Sequence, residues 1–240
     1  AIRRQRQMCI RDSFLNTCLD SLTKQSYKNL ELIVVNDGSP KNCKEIVTEY
    51  SKKDERVKYV EHEKNKGLFQ ARVTGFENST GDYIAFLDAD DYVSNDFYRE
   101  LIEKAEETNS DIVFSKLVMD YGEEDKRVYN LFDFPFDELN GEECYEQFYA
   151  QEGLNFAWHI TPNKIYSRRI WEKAVIEYKK VNKHLIMTED FAFSNVVFYY
   201  ANKVTKVDRV AFFYTKHDGA STSINDLSFK KANKNLEDLT

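Results

Sequence analysis

Three carboxylates stand close together in Asp88-Ala89-Asp90-Asp91, directly after an apolar run. Unpaired carboxylates this close repel one another, and a divalent cation relieves that repulsion. Ligands made only of oxygen favour Mg²⁺ or Mn²⁺ over zinc. The structural alternative is an acidic turn that caps the next helix, since Asp is common in turns, and Asp91 could be only that. For the Asp88 and Asp90 pair we predict a metal site.

Two other ion or phosphate sites are excluded by spacing. A calcium EF-hand loop places oxygen ligands at its first, third and fifth positions and Gly at the sixth. Here Tyr92 and Val93 occupy the last two of those positions. The Gly-x-x-x-x-Gly-Lys-Ser/Thr phosphate loop does not occur in the sequence.

A second polar cluster, Asn36-Asp37-Gly38-Ser39, follows the apolar run Leu30–Val35. Asp37 could accept a hydrogen bond from a nucleobase N–H, and Gly38 would let a ligand approach the backbone. Taken alone, however, this sequence is typical of a turn. Arg72 could pair with a diphosphate, although an isolated helical arginine more often lies on the surface.

Glu189 and Asp190 open a predicted helix in the second half of the chain. A general base at this point would have to reach an acceptor hydroxyl. The helix dipole favours acidic residues in a first turn, so the residues alone support both roles equally. Among the histidines, His217 is the one we consider near a diphosphate, and a solvated loop histidine is the alternative.

Predicted strands alternate with predicted helices along the first half, and this alternation predicts a parallel sheet covered on both faces. Ligands bind such sheets at the carboxyl ends of the strands, where both polar clusters fall. In the second half, 120–140 is predicted to be an irregular acidic stretch. The predicted strands are Leu30–Val35, Val57–Glu61, Tyr83–Leu87, Asp111–Met119, Lys203–Val207 and Val210–Thr215. The later predicted helices are Gly141–Gln151, Arg168–Tyr178 and Thr188–Tyr200.

The composition excludes several classes. The net charge of −7 argues against a nucleic acid partner, because neutralising phosphates needs clustered Lys and Arg. The four cysteines include no Cys-x-x-Cys pair, which indicates neither a zinc site nor a disulfide framework and favours a reducing compartment. No apolar run of about eighteen residues and no secretory leader are present. We expect a cytoplasmic location.

The clusters, in this order, resemble the family-2 glycosyltransferases of the GT-A fold, of the bacterial cell-surface polysaccharide type. The resemblance is dense from about Phe14 to Met119. The matching pieces are Cys18-Leu19-Asp20-Ser21-Leu22, Gln25 to Glu31, Val34 to Ser39, Asn65-x-Gly67 to Arg72, Gly81-Asp82-Tyr83-Ile84 and Phe86 to Asp91. It implies a mostly parallel, Rossmann-like sheet with helices on both faces and a smaller acceptor-side α+β region.

The resemblance also implies residue roles. Asp37 would contact uracil, Asp88 the ribose or donor sugar, and Asp90 the Mn²⁺ or Mg²⁺ that bridges the UDP diphosphate. Asp190 would be the catalytic base, supported by Glu189, in a single displacement that inverts the anomeric carbon. The implied donor-binding residues are Asp37, Gly38, Asn65, Gly67, Arg72, Asp88, Lys216 and His217. The donor would be a UDP-sugar and the acceptor a glycan or lipid-linked saccharide, with peripheral association of the full-length protein at the inner membrane face.

Two other classes compete with this interpretation. A haloacid-dehalogenase-type phosphatase also places Asp-x-Asp after a strand, but it usually has Thr or Val where this chain has Tyr92. Its motif also usually opens the fold, whereas here two strand–helix units precede the motif. A non-catalytic module of the same fold is the second alternative.

The first residues do not fit the family pattern, which begins with a buried apolar strand. Four arginines and two glutamines lie between Ile2 and Arg11, and such residues cannot fill a strand covered on both faces. We therefore predict that 1–12 is a non-native segment and that the chain is a truncated enzyme, inactive or nearly so. A native basic tail before a shortened sheet is the alternative. The predicted parts are 13–120 for nucleotide-sugar binding, 121–225 for acceptor binding and 226–240 for an incomplete C-terminal extension.

Overall fold

The computed structural model describes residues 10–39, 42–122, 126–128, 136–150, 156–180 and 189–217. Helices and strands alternate from the first of these residues. The helices are α1 Ile10–Thr23, α2 Asn42–Lys53, α3 Leu68–Glu77, α4 Phe97–Thr108, α5 Glu143–Ala150, α6 Phe156–His159, α7 Arg168–Tyr178 and α8 Glu189–Tyr200. The strands are β1 Leu32–Asn36, β2 Val57–Glu61, β3 Tyr83–Ala85, β4 Tyr92–Val93, β5 Ile112–Asp120, β6 Lys126–Val128, β7 Glu138–Asn140, β8 Lys164–Ser167 and β9 Lys203–Thr215.

The strands form two sheets. In the smaller one, β1 and β2 pair in parallel. In the larger one the order is β3-β8-β5-β9-β4, with β6 added to β5 and β7 to β9. Strands β5 and β9 are parallel, and β8 runs antiparallel to both of its neighbours, so β3, β5 and β9 share one direction. The α/β class and the shared direction of these strands agree with the sequence prediction, and β8 and β4 add antiparallel pairs.

Several predicted element boundaries were wrong. The two predicted strands after Lys203 are one strand, β9, whose pairing shifts so that Ser115 lies opposite Val207 and Lys116 opposite Ala211. The three residues in between bulge from the ladder, which explains the break in the apolar pattern. The stretch 120–140 also contains β6 and β7. The predicted helix start at Thr188 and helix end at Gln151 lie outside the described residues.

The core lies on both faces of the larger sheet. Side chains of β5 alternate between the two faces, with Val113 and Leu117 in one apolar cluster. Ile112 and Phe114 lie in the other, which holds both tryptophans, Trp158 and Trp171. Burying each such side chain contributes about 1.5–3 kcal/mol, so these clusters fix the sheet that carries the polar site.

In the part of the chain that the structure describes, no helix is long and apolar enough to cross a membrane. The predicted division at residue 120 stays a prediction. Strand β9, from the second predicted part, pairs along the whole of β5, from the first.

Candidate functional site

The acidic loop lies between β3 and β4, and its last carboxylate is structural. Asp91 is buried, and its Oδ1 accepts a hydrogen bond from the backbone N–H of Thr215 at 2.8 Å. Burial, followed by the neighbouring charges of Asp90 and Asp88, raises the pKa of Asp91 well above its usual value. Asp91 therefore fastens the loop to the end of β9, and no bond to the start of α4 is seen for it among the described residues.

The other two carboxylates of the loop remain open to solvent. The side chains of Asp88 and Asp90 are 25% and 41% exposed. His217 Nε2 lies 3.1 Å from Asp90 Oδ2, and the His217 ring stacks on Phe14 with centroids 4.7 Å apart. Lys216 follows Thr215 at the end of β9, and its backbone N–H donates to the Asp120 carbonyl at 2.7 Å. His217 thus lies beside the acidic loop, and Lys216 is near enough for its charge to act on Asp91.

The electrostatics of this loop suit a cation. Burial raises the pKa of the Cys18 thiol, and the charges of Asp91, Asp90 and Asp88 raise it further. The negative potentials of the three carboxylates therefore overlap near Cys18. Within the described ranges, no three His, Cys, Asp or Glu side chains converge into a complete metal site. Mg²⁺ is commonly held by one or two carboxylates together with substrate phosphates and water. The oxygen ligands of Asp88 and Asp90 fit that mode of binding.

Arg72 of α3 is fully buried, unlike most isolated helical arginines. Its guanidinium donates to Asp190 Oδ1 and lies 3.5 Å from Asp88 Oδ1. Burial opposes the positive charge, but the carboxylates of Asp190, Asp88 and Glu189 outweigh it and raise the pKa of Arg72 above its ordinary value. The residue therefore joins the acidic loop to the start of α8.

Asp190 is held through one of its two oxygens. Oδ1 accepts from Arg72, from the Thr161 hydroxyl and, at 3.2 Å, from the Thr161 N–H. Among the described residues no hydrogen bond is made to Oδ2, and the side chain is 29% exposed. Glu189 beside it is buried. Asp190 thus does more than cap a helix.

The other predicted donor-binding residues form a turn at the start of α3. Asp37 accepts hydrogen bonds from the N–H groups of Lys66 at 2.7 Å and Gly67 at 2.8 Å, and its carbonyl accepts from Asn65 at 2.9 Å. Gly38 has a φ of 72°, and a Cβ added there would lie 2.9 Å from Asn65 N. Asp37 and Gly38 therefore shape the turn that leads into α3, and a contact of Asp37 with uracil stays a prediction.

Sequence reasoning missed two residues of this network, His62 and Thr161. His62 Nδ1 lies 2.8 Å from Asp37 Oδ1, and its Nε2 lies 2.9 Å from Thr74 Oγ1. The pairing of β1 with β2 places Asn36 opposite Glu61, so the residues that follow these two meet, but the sequence alone did not reveal this register. Thr161 carried no comparable signal in the sequence.

Two groups of predicted residues are therefore connected through one helix. Asp37, Asn65 and Gly67 build the start of α3, and Arg72 one turn later meets the acidic loop and Asp190. His217 closes the loop from the side of β9.

Solved structures similar to this chain include S. aureus TarS residues 1-349 in complex with UDP-GlcNAc, with a TM-score of 0.68 and 20% identity. The match covers 95% of this chain and 63% of that one. The corresponding complex with UDP has a TM-score of 0.65 and 19% identity, and the match covers 95% of this chain and 68% of that one. At these identities the likeness shows the fold, which is that of TarS.

Curated relatives are glycosyltransferases by name. The uncharacterized glycosyltransferase EpsJ of Bacillus subtilis (strain 168) is 31% identical over 214 residues, which cover 89% of this chain and 60% of EpsJ. The glycosyltransferase GlyA of Streptococcus pneumoniae serotype 4 (strain ATCC BAA-334 / TIGR4) is 30% identical over 220 residues, covering 89% of this chain and 30% of GlyA. Residues 8–175 match the family model described as Glycosyl transferase family 2. This chain belongs to glycosyl transferase family 2.

Proposed function

We propose that this chain transfers a sugar from a UDP-sugar to a hydroxyl of a glycan or lipid-linked saccharide at the inner face of the membrane. The observation that carries the proposal is the position of Arg72, which contacts Asp88 on the donor side and Asp190 on the acceptor side. S. aureus TarS has been solved in complex with UDP and with UDP-GlcNAc, which supports a UDP-sugar here.

Asp90, with Asp88 beside it, is the proposed holder of Mn²⁺ or Mg²⁺. When bound, such an ion neutralises the charge that develops on a departing diphosphate. Asp88 would contact the ribose or the donor sugar; it lies against Arg72, and the side chain of Asp90 is the more exposed of the two. Lys216 and His217 would border the diphosphate from the end of β9, opposite the turn of Asp37, Asn65 and Gly67.

Asp190 is the proposed general base. Anchoring of Oδ1 by Arg72 and Thr161 leaves Oδ2 to accept the proton of the acceptor hydroxyl. As that hydroxyl oxygen bonds to the anomeric carbon, the bond from this carbon to the UDP oxygen breaks, and UDP leaves from the opposite face with inversion. Glu189 supports the base indirectly, because its charge helps to hold Arg72 in the cationic form.

Titration of the 240-residue chain with UDP, with and without Mn²⁺, tests the donor site. We expect binding that requires Mn²⁺, is lost in Asp90→Asn and persists in the matched control Asp208→Asn, whose side chain is 60% exposed on another part of β9. Transfer is measured as UDP release from a panel of UDP-sugars with added saccharide acceptors.

The same assays separate the alternatives. A phosphatase would release inorganic phosphate from p-nitrophenyl phosphate and would not need UDP. A non-catalytic module of this fold would bind UDP without releasing it from any UDP-sugar. The link that the buried Arg72 makes between Asp88 of the acidic loop and Asp190 of α8 favours the transferase over the phosphatase.

A further inference from the structure

Two helices of the second half, α5 and α8, carry most of the exposed large hydrophobic side chains. Five such side chains are exposed in the part of the chain that the structure describes, and three of them lie on these helices. They are Tyr149, Phe191 and Tyr199, with exposed fractions of 45%, 40% and 63%. Single exposed apolar residues are ordinary, whereas a group of them on one surface indicates a binding site.

These side chains form one continuous surface across the two helices. Phe191, Asn195 and Tyr199 are four residues apart on α8, so they share a face with about 6 Å between successive positions. Tyr149 of α5 donates its hydroxyl to Asn195 Oδ1 at 2.7 Å. The ring of Tyr145, also on α5, lies with its centroid 4.7 Å from that of Tyr149 and 5.3 Å from that of Tyr199. We call these five residues the α5–α8 stripe.

The stripe begins beside the proposed general base. Phe191 is the residue after Asp190, and its ring centroid lies 5.0 Å from that of His159. His159 comes two residues before Thr161, whose hydroxyl and N–H both donate to Asp190 Oδ1. The contact of Phe191 with His159 therefore adjoins the contact of Asp190 with Thr161. From this point the stripe leads away from the base along α8.

The stripe combines flat apolar rings with hydrogen-bonding groups. Tyrosine has an apolar ring and a polar hydroxyl at its tip. Asn195 Oδ1 accepts from Tyr149, and among the described residues no hydrogen bond is made by Asn195 Nδ2, so this amide keeps donors for a partner. A pyranose sugar has the complementary pattern, because it presents a face of C–H groups for stacking on a ring and a rim of hydroxyls for amides and phenols.

The charge of the two helices favours a neutral partner. Neither α5 nor α8 contains a lysine or an arginine. Helix α5 instead carries the exposed carboxylates of Glu143 and Glu146. Anionic membrane surfaces and nucleic acids are bound by clustered Lys and Arg, so both are repelled here. A neutral glycan meets no such repulsion, and it can use the rings and the amide together.

We propose that the α5–α8 stripe binds sugar units of a neutral acceptor glycan, beyond the unit whose hydroxyl loses its proton to Asp190. This rests on the proposed function, which makes Asp190 the base. The exposed rings stack on successive sugars, and Asn195 donates to a hydroxyl between them. From Phe191 to Tyr199 the helix rises about 12 Å, which accommodates roughly two sugar units of an extended chain. The acceptor is therefore an oligosaccharide or a longer glycan, and not a free monosaccharide.

The test titrates the 240-residue chain by calorimetry with cellohexaose, maltohexaose and chitohexaose, and with glucose and N-acetylglucosamine. No UDP-sugar is present, so the result does not depend on turnover. We expect at least one hexasaccharide to bind more tightly than its monosaccharide. Tyr149→Ala and Tyr199→Ala should each weaken this binding by about two- to tenfold, the effect of losing one ring contact. Tyr199→Phe keeps the ring and should bind nearly as the wild type does. Ile176→Ala, at an exposed apolar position of α7, is the control.

Hydroxyl-radical footprinting of the wild-type chain is the second measurement, in case a variant fails to fold. The bound hexasaccharide should protect Tyr149, Phe191 and Tyr199 and leave Ile176 as reactive as before. The proposal is overturned if no hexasaccharide binds, if both alanine variants bind like the wild type, or if Tyr199→Ala instead abolishes binding to phosphatidylcholine vesicles or self-association of the chain. Hexasaccharide binding without any UDP release would contradict the proposed function alone. UDP release together with unchanged binding in the stripe variants would contradict this inference alone.

Discussion

Arg72 and Asp190 form an ion pair that joins α3 to the first turn of α8, 118 residues apart in the sequence. The arginine is fully buried and the aspartate is partly exposed, so a buried cation holds a carboxylate that reaches solvent. Arg72 also contacts Asp88, so the same guanidinium lies next to the acidic loop. Donor and acceptor sides of the proposed site therefore share one cation.

We expect Arg72→Met to lower the free energy of unfolding by about 2 kcal/mol, because it leaves two carboxylates without their cation and both are only partly screened by solvent. Arg72→Lys should recover part of this loss. Denaturant unfolding checks the values, and a double-mutant cycle with Asp190→Asn isolates the pair. Additive effects in that cycle would show that the ion pair contributes nothing.

Asp190→Asn should keep UDP binding and lose transfer by roughly 10²–10⁴-fold, the usual contribution of a positioned general base. The amide oxygen can still accept from Arg72 and Thr161, so the shape is preserved while the basic oxygen is removed. The assay is UDP release with a saccharide acceptor, and Asp208→Asn is the control. Transfer at the wild-type rate would leave Asp190 with a structural role only.

Asp90→Asn should abolish the stabilisation that UDP and Mn²⁺ give together. At about 100 times the dissociation constant, a ligand adds about 2.7 kcal/mol to the free energy of unfolding. Thermal melts with UDP, Mn²⁺ or both measure this effect, with Asp208→Asn as control. An equal shift in Asp90→Asn would contradict the metal site, whereas a larger shift with GDP would contradict only the uracil contact.

The sequence predicted the positions of the acidic loop and of Asp37 because each follows an apolar strand, and strand ends meet at one edge of an α/β sheet. It did not predict the burial of Arg72, since helical spacing alone does not say which face of α3 meets α8. Nor did it predict that Asp37 is engaged by Lys66, Gly67 and His62, because that contact depends on the register of β1 with β2.

Glu31, just before β1, accepts hydrogen bonds from Thr80, just before β3, and its removal should destabilise the chain in a pH-dependent way. Partial burial opposes its charge, but hydrogen bonds from Thr80 and the ion pair with Lys58 at 3.0 Å outweigh it and lower the pKa of Glu31 from 4.5 to about 2. Because the folded pKa lies below the unfolded one, the stabilisation is complete above 4.5 and is lost as the pH falls towards 2.

For Glu31→Gln we expect a loss of about 1 kcal/mol at neutral pH, after discounting for the solvent that screens this partly exposed group. The loss should shrink as the pH is lowered from about 5 to about 3, where the wild-type chain also gives up the contribution. Urea unfolding across this range measures it, with Glu103→Gln on the exposed face of α4 as the control. A difference between wild type and Glu31→Gln that stays constant down to about pH 3 would show that the charge of Glu31 does not hold β1 and β3 together.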